Sequence, residues 1–202
     1  MEKIILRKAS ADDAAALLEI YSYYVENTAI TFEWEVPSLE DFRERIKNTL
    51  RGFPYIVAER EVCVEAGAED GAEARGREIL GYAYASAFKA RAAYAWSVES
   101  SIYVKNTCRQ AGIGRQLLQE LENCLRKQNY LNINACIACA GKDKNDPYIT
   151  DASIRFHEKM GYRLVGEFTD CGFKFKRWYN MVWMEKMLGE HNSEPAAIIK
   201  SF

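Results

Sequence analysis

The chain has 202 residues, 49% of them hydrophobic and 28% charged, which suits a single domain able to remove roughly 70% of its unfolded surface from water. That composition excludes a disordered, collagen-like or rod-like chain, and 27 Lys+Arg against 29 Asp+Glu gives a net charge of −2, without the positive excess of a general nucleic-acid binder. The six cysteines are too dilute for a disulfide scaffold. No apolar run approaches a signal-peptide core or a membrane span, so the expectation is a cytoplasmic protein with neither nucleic-acid nor membrane partners.

The first predicted element is a strand at Ile4-Ile5-Leu6-Arg7. Ser10 and Asp13 follow at capping-box spacing, and the next helix carries Ala14, Leu17, Leu18, Tyr21, Tyr24 and Val25 on one broad face. Pro37-Ser38 with Asp41 repeats the start signal before a helix striped by Phe42, Ile46 and Leu50. Strands are predicted at Tyr55–Ala58 and Leu80–Ala85, joined by a long, solvated hairpin connection over 59–78. Ser100–Val104 reads as a strand. Ile113, Leu117, Leu118, Leu121, Cys124 and Leu125 mark a strong helix. Ile133, Ala135 and Ile137 mark another strand, and Asp151–Met160 a short helix closed by Gly161. Two strands over 162–173 and 178–187 precede a loosely held tail, 189–202. The order predicts an α/β (α+β) domain over 1–188, with a mixed central sheet of about seven strands flanked by helices.

The segment Ile102-Tyr103-Val104, a short loop, then Arg109-Gln110-Ala111-Gly112-Ile113-Gly114-Arg115 is strand, glycine-containing turn and helix start. Glycines let the backbone approach an anion, and a helix N-terminus supplies free N–H groups and partial positive charge. Arg109 and Arg115 add full charges. A P-loop is excluded because Arg115-Gln116 follows Gly114, and the Rossmann fingerprint because Leu117 stands where its third glycine belongs. Cys136 and Cys139, three apart on a strand, point to opposite faces and cannot chelate a metal together.

Arg-x-x-Gly-x-Gly after a strand resembles the cofactor motif of the GNAT acyl-CoA-dependent N-acetyltransferases. The block Lys89 to Val104, the run Ser153-Ile154-Arg155-Phe156-His157-Glu158-Lys159-Met160-Gly161-Tyr162, and Lys174-Phe175-Lys176-Arg177-Trp178 resemble the phosphinothricin and methionine sulfoximine acetyltransferase branch. The resemblance spans about residues 4–188. It implies a splayed sheet, acetyl-CoA as co-substrate without a metal, and a homodimer. The pantetheine arm would pair with the backbone of Ile102, Tyr103 and Val104, and the pyrophosphate would rest on the amides of 109–114. Thr150 stands where the family has Asn, and Ser153 is kept, so both are expected at the cofactor. The 59–78 connection and the tail have no counterpart in the family pattern.

Under this resemblance Glu99 is the candidate base that takes a proton from the acceptor's ammonium group. His157 stands where many relatives carry a tyrosine; it either protonates the departing thiolate or holds a water, or is a packed helix histidine. Lys89, Arg91, Tyr94 and Trp96 are candidate acceptor-binding residues, with Phe32 and Glu33 weaker ones. The expected reaction is direct acetyl transfer to the α-amino group of a small amino-acid-like compound of the phosphinothricin or methionine sulfone type. The alternatives are acetylation of a protein or peptide, and a non-catalytic acyl-CoA-binding module.

Overall fold

The structure, a computed structural model, describes residues 3–65, 73–108, 112–141 and 145–200. Strand β1 (Ile4–Lys8) leads into a 3-10 turn in which the Asp12 amide donates to Ser10 Oγ (3.3 Å) and the Ser10 amide to the Asp13 carboxylate (2.7 Å). This satisfies orphan donors ahead of α1 (Ala14–Asn27). Ser38 caps α2 (Leu39–Leu50) by accepting from the Asp41 amide at 3.1 Å. Then come β2 (Tyr55–Glu65), β3 (Glu73–Ala87), β4 (Ser97–Val104), α3 (Ile113–Lys127), β5 (Asn132–Cys139), α4 (Ala152–Lys159), β6 (Arg163–Lys174) and β7 (Arg177–Met187).

The seven strands form one sheet in the order β1-β2-β3-β4-β5-β7-β6. All neighbours are antiparallel except β4 and β5. Helices α1 and α2 cover one face, where Leu17, Tyr21, Tyr24, Phe42 and Ile46 pack against Tyr55, Val57 and Tyr82. Helix α3 covers the other face. Its Leu117, Leu118, Leu121 and Leu125 are wholly buried against Ile56, Ala83, Val98 and Ile133. Each such leucine contributes roughly 1.5–3 kcal/mol relative to exposure. At Gly81 the layers come closest: an added Cβ would lie 2.8 Å from Tyr103 O and 3.2 Å from Leu117 Cδ1. Among the described residues no helix is long and apolar enough to cross a membrane.

Two expectations need correction. The 59–78 stretch is largely a β-ladder, not a solvated connection: Glu59 pairs with Ile79 and the register runs out to Glu65 opposite Glu73. Charged side chains masked it. Glu59 is 1% exposed yet sits between the Arg7 and Arg77 guanidinium groups, each at 2.8 Å, so burial is paired rather than apolar. The connecting residues 66–72 lie outside the described residues. The tail is not loosely held. The Ile199 amide donates to Gln128 O (3.1 Å), Asn129 Nδ2 to Ala197 O (2.7 Å) and Trp96 Nε1 to Ala196 O (2.8 Å), and Ile198 packs on the α3-side core. Most of these bonds end on tail backbone groups, which carry no sequence signature.

Candidate active site

Strands β4 and β5 pair over only three positions, Ser97–Asn132, Val98–Ile133 and Glu99–Asn134. Beyond Glu99 they diverge and leave a gap in the sheet. Backbone groups of a strand alternate sides. The Lys105 amide donates to Leu80 O on β3 at 2.8 Å, so the odd-numbered residues of β4 address β3 and Ser100, Ile102 and Val104 address the gap. Tyr103 therefore cannot offer its backbone to a ligand; it stands opposite Tyr82 on β3, and its ring packs among Tyr21, Tyr24 and Tyr82. Val104 is already engaged: Tyr24 Oη donates to Val104 O at 2.5 Å and accepts from the Val104 amide at 3.3 Å. The expected three-residue pairing edge narrows to Ile102, with Ser100 before it.

The gap opens into a cleft of about 790 Å³ lined by Ile102, Gly112–Arg115, Ile137, Thr150 and Ser153, within the range of about 300–1,000 Å³ usual for ligand sites. At its mouth α3 begins on Gly112, whose φ of 78° is left-handed and whose side is open, with no atom within 4 Å of an added Cβ. Among the described residues no side chain caps this helix. The first ladder bond is Gln116 N to Gly112 O at 3.2 Å, so the amides of 113–115 have no acceptor within the helix. A Cβ on Gly114 would make only ordinary contacts with Phe156 and Ile102. The protein's own packing therefore does not require glycine there. Thr150 Oγ1 accepts from the Ala152 amide, the first residue of α4, at 3.3 Å. Arg109, Gln110 and Ala111 lie outside the described residues.

Glu99 sits where pairing ends. Its face of the sheet also carries Ser101 on β4, Ser86 and Tyr84 across the ladder on β3, and Cys136 and Trp183 on β5 and β7. The carboxylate is half-buried, and no hydrogen bond to it is found among the described residues. Burial pushes its pKa up, and the Lys89 ammonium partly opposes that shift. Lys89 Nζ lies 4.9 Å from the Phe88 ring and 5.2 Å from the Trp183 ring, which holds a cation beside the carboxylate. Tyr94 packs edge-on against Phe88. Arg91 is exposed at the head of the 3-10 turn Ala92–Tyr94. Trp96 donates its N–H to Ala196 O in the tail.

The loop between α1 and α2 closes the other side of this face. Phe32 lies against Tyr179 and so close to β6 that a Cβ on Gly172 would run into its ring. Glu33 pairs with Arg45 at 2.6 Å. The residue that anchors the loop, Lys174, was not singled out from sequence. Only 4% exposed, it donates to Thr28 O (2.9 Å) and Thr31 O (2.8 Å). Burial lowers its pKa to about 8, with Glu33 opposing. Its neighbours Phe175, Lys176 and Arg177 share its motif, and nothing in that run marks which cation turns inward.

His157 is 3% exposed, wedged edge-on between Phe156 and Tyr162 on the α3 side of the sheet. Its Nδ1 lies 2.8 Å from Ser153 O. A carbonyl only accepts, so Nδ1 carries the proton. Burial lowers the His157 pKa and favours the neutral ring, which leaves Nε2 without a proton. In this arrangement the His157 ring presents an acceptor at Nε2.

A family model described as an acetyltransferase (GNAT) domain matches residues 6–183. The chain belongs to the GNAT acetyltransferase family. A phosphinothricin N-acetyltransferase of Streptomyces coelicolor is 30% identical over 193 residues, covering 92% of this chain and 97% of the relative. The crystal structure of a GNAT superfamily phosphinothricin acetyltransferase from Sinorhizobium meliloti in complex with AcCoA is 33% identical, with a TM-score of 0.77 over 96% of this chain and 93% of that one. A ribosomal-protein-alanine N-acetyltransferase structure from Brucella melitensis is 30% identical, with a TM-score of 0.73 over 91% of this chain and 99% of that one. The enzyme is an acetyl-CoA-dependent N-acetyltransferase. The free amides at the start of α3 and the open edge at Ile102 fit that co-substrate. Among the described residues no His, Cys, Asp and Glu cluster could hold a metal.

Proposed function

We propose that the enzyme acetylates the α-amino group of a small amino-acid-like acceptor, with phosphinothricin, methionine sulfoximine and methionine sulfone as candidate substrates. The observation that carries this reading is Glu99. It is a half-buried carboxylate with no hydrogen-bond donor among the described residues, at the point where the sheet opens, with a cation held beside it. Acetyl-CoA supplies the activated acetyl thioester. The chain does the rest. Amides 113–115 and Arg115 hold the anionic end, and the Ile102 backbone aligns the arm. Glu99 takes the ammonium proton so that the nitrogen lone pair can attack. Lys89 pairs with the acceptor's carboxylate or phosphinate.

The likeness to the ribosomal-protein-alanine enzyme supports a second reading, acetylation of a peptide N-terminus. A thiol-release screen with acetyl-CoA against amino acids, the three candidate substrates and short peptides decides between them. Turnover with peptides alone overturns the small-molecule reading; no turnover with any acceptor points to a non-catalytic acyl-CoA-binding module. We further propose a homodimer, supported by the exposed apolar residues Leu164, Val165, Phe168 and Trp178 on β6 and β7. A cytoplasmic location fits the free thiols of Cys108, Cys124, Cys136, Cys139 and Cys171. Light scattering that shows a monomer would reject the dimer.

A further inference from the structure

The segment from Phe88 to Ala95 carries Lys89, Arg91 and Tyr94, and little holds it. The ladder between β3 and β4 stops at Ala87 opposite Val98. The segment's own backbone bonds are local, Tyr94 N to Arg91 O and Ala95 N to Ala92 O, both 3.0 Å. All of it except Phe88 is exposed. It rejoins the fold at Trp96, whose carbonyl accepts from the Leu131 amide at 2.9 Å and the Asn132 amide at 3.2 Å. Those two bonds lie just ahead of the three positions that pair β4 with β5. So short a parallel pair resists fraying weakly.

The Trp96 ring lies on the opposite side of the sheet from Glu99. Val98 belongs to the α3-side core, and Trp96, two residues earlier, shares its side. There its N–H donates to Ala196 O at 2.8 Å. From Gly189 to Lys200 only Pro195 and Ile198 are partly buried, and Ile198 packs on the α3-side core. The Asn129 side chain donates to Ala197 O at 2.7 Å, and the Ile199 amide to Gln128 O at 3.1 Å. Residues 196–199 thus fasten Trp96 to the end of α3, on the closed side of the β4–β5 pair.

We propose that residues 196–199 are a strap that fixes the acceptor-binding segment 88–96, with Trp96 as the positioning residue through which it acts. This rests on the reading of Lys89 as the partner of the acceptor's anionic group. The strap touches none of the reacting groups; it limits how far the segment can swing from Glu99. The start of α3 lies about 22 Å from Gln128, at 1.5 Å per residue, so the CoA end of the site is beyond its reach.

Steady-state kinetics of the full chain with acetyl-CoA and methionine sulfone test the proposal. Ile198→Asp places a charge where the strap packs and releases it. KM for methionine sulfone should rise about tenfold while kcat stays within about twofold, the pattern of lost uniform binding, and the CoA affinity read by calorimetry should not change. Asn129→Gly keeps the left-handed backbone at φ 69° and removes one bond, and Trp96→Phe keeps a ring and removes another. Each should raise KM about fivefold, the scale of one net hydrogen bond. In Trp96→Phe/Ile198→Asp the effects should not add, because both cut the same strap. Hydrogen–deuterium exchange without acceptor should quicken over 88–99 in Ile198→Asp and stay unchanged over 113–118. An unchanged KM, even with a lower melting temperature, makes the tail a stability element only and overturns the proposal. So do additive effects, an equal loss of CoA affinity, or unchanged exchange over 88–99. If wild type acetylates no acceptor, the acceptor reading falls, and the exchange result by itself decides whether the strap holds the segment.

Discussion

Replacing Glu99 with Gln keeps the shape of the side chain and removes its basicity. General-base catalysis contributes about 10²–10⁴-fold, or roughly 3–5 kcal/mol at 1.36 kcal/mol per decade. The upper half of that range is expected here, because the carboxylate is half-buried and, among the described residues, gives no lone pair to a protein donor. Thiol release should therefore fall by about 10³–10⁴-fold in kcat near neutral pH, with the CoA affinity unchanged. The pH profile is the sharper test. Burial raises the Glu99 pKa, so the acid limb of the wild-type kcat/KM profile should lie above the ordinary glutamate range and level off once the carboxylate is ionised. The variant depends on acceptor that has lost its proton unaided, so its rate should climb about tenfold per pH unit toward the amine's own pKa, about 8 or higher. Stability should move the other way. A carboxylate whose folded pKa is raised stabilises the fold below its unfolded pKa and loses that contribution as pH rises through the folded value. At pH 7 wild type bears the cost of a desolvated charge and the variant does not, so Glu99→Gln should melt no lower than wild type. Unchanged kcat/KM in the variant, or a flat loss that comes with weakened CoA binding, refutes the base assignment.

Lys174→Met should raise KM for the acceptor more than it lowers kcat, since it frees the loop that carries Phe32 and Glu33. It leaves two buried carbonyls unsatisfied and should cost about 1–3 kcal/mol each at most, read as a lower melting temperature. Because the folded pKa of Lys174 is lowered to about 8, the cost of burying its charge is full below that pH and eases as pH rises toward the ordinary lysine range. Wild type should therefore gain stability relative to the variant between pH 8 and 10, measured by chemical denaturation. Gly81→Val places its Cβ 2.8 Å from Tyr103 O and should cost about 1–3 kcal/mol, together with weaker CoA binding because β4 must shift. His157→Gln should keep thiol release within about tenfold of wild type, below the about 10²–10⁴-fold loss expected on removing a general acid. A larger kcat loss at constant CoA affinity would restore the acid role.

The amino-acid sequence by itself determined the order of elements, the capped starts of α1 and α2, and the buried faces of α1, α2 and α3. These are local or periodic properties, written as Ser10 with Asp13, Ser38 with Asp41, and the leucines of α3. The family motif was equally legible, because a glycine at φ 78° before an uncapped helix must be written in adjacent residues. Tertiary structure alone decided the rest. The ladder at 59–65 and 73–78 is a backbone register whose inner end carries the charged pairs Arg60–Glu78 and Glu59–Arg77, and such charged residues look like solvated loop in one dimension. The tail is tied down by bonds that mostly end on its backbone, which no side chain announces. Lys174 turns inward only because two carbonyls from a loop 143 to 146 residues away await it. The tautomer of His157 is set by one carbonyl in its own helix, and its ring is held by Phe156 and Tyr162. Periodicity reports which face is apolar. It does not report where a polar group finds its partner, because that depends on which distant segments the fold brings within hydrogen-bond reach.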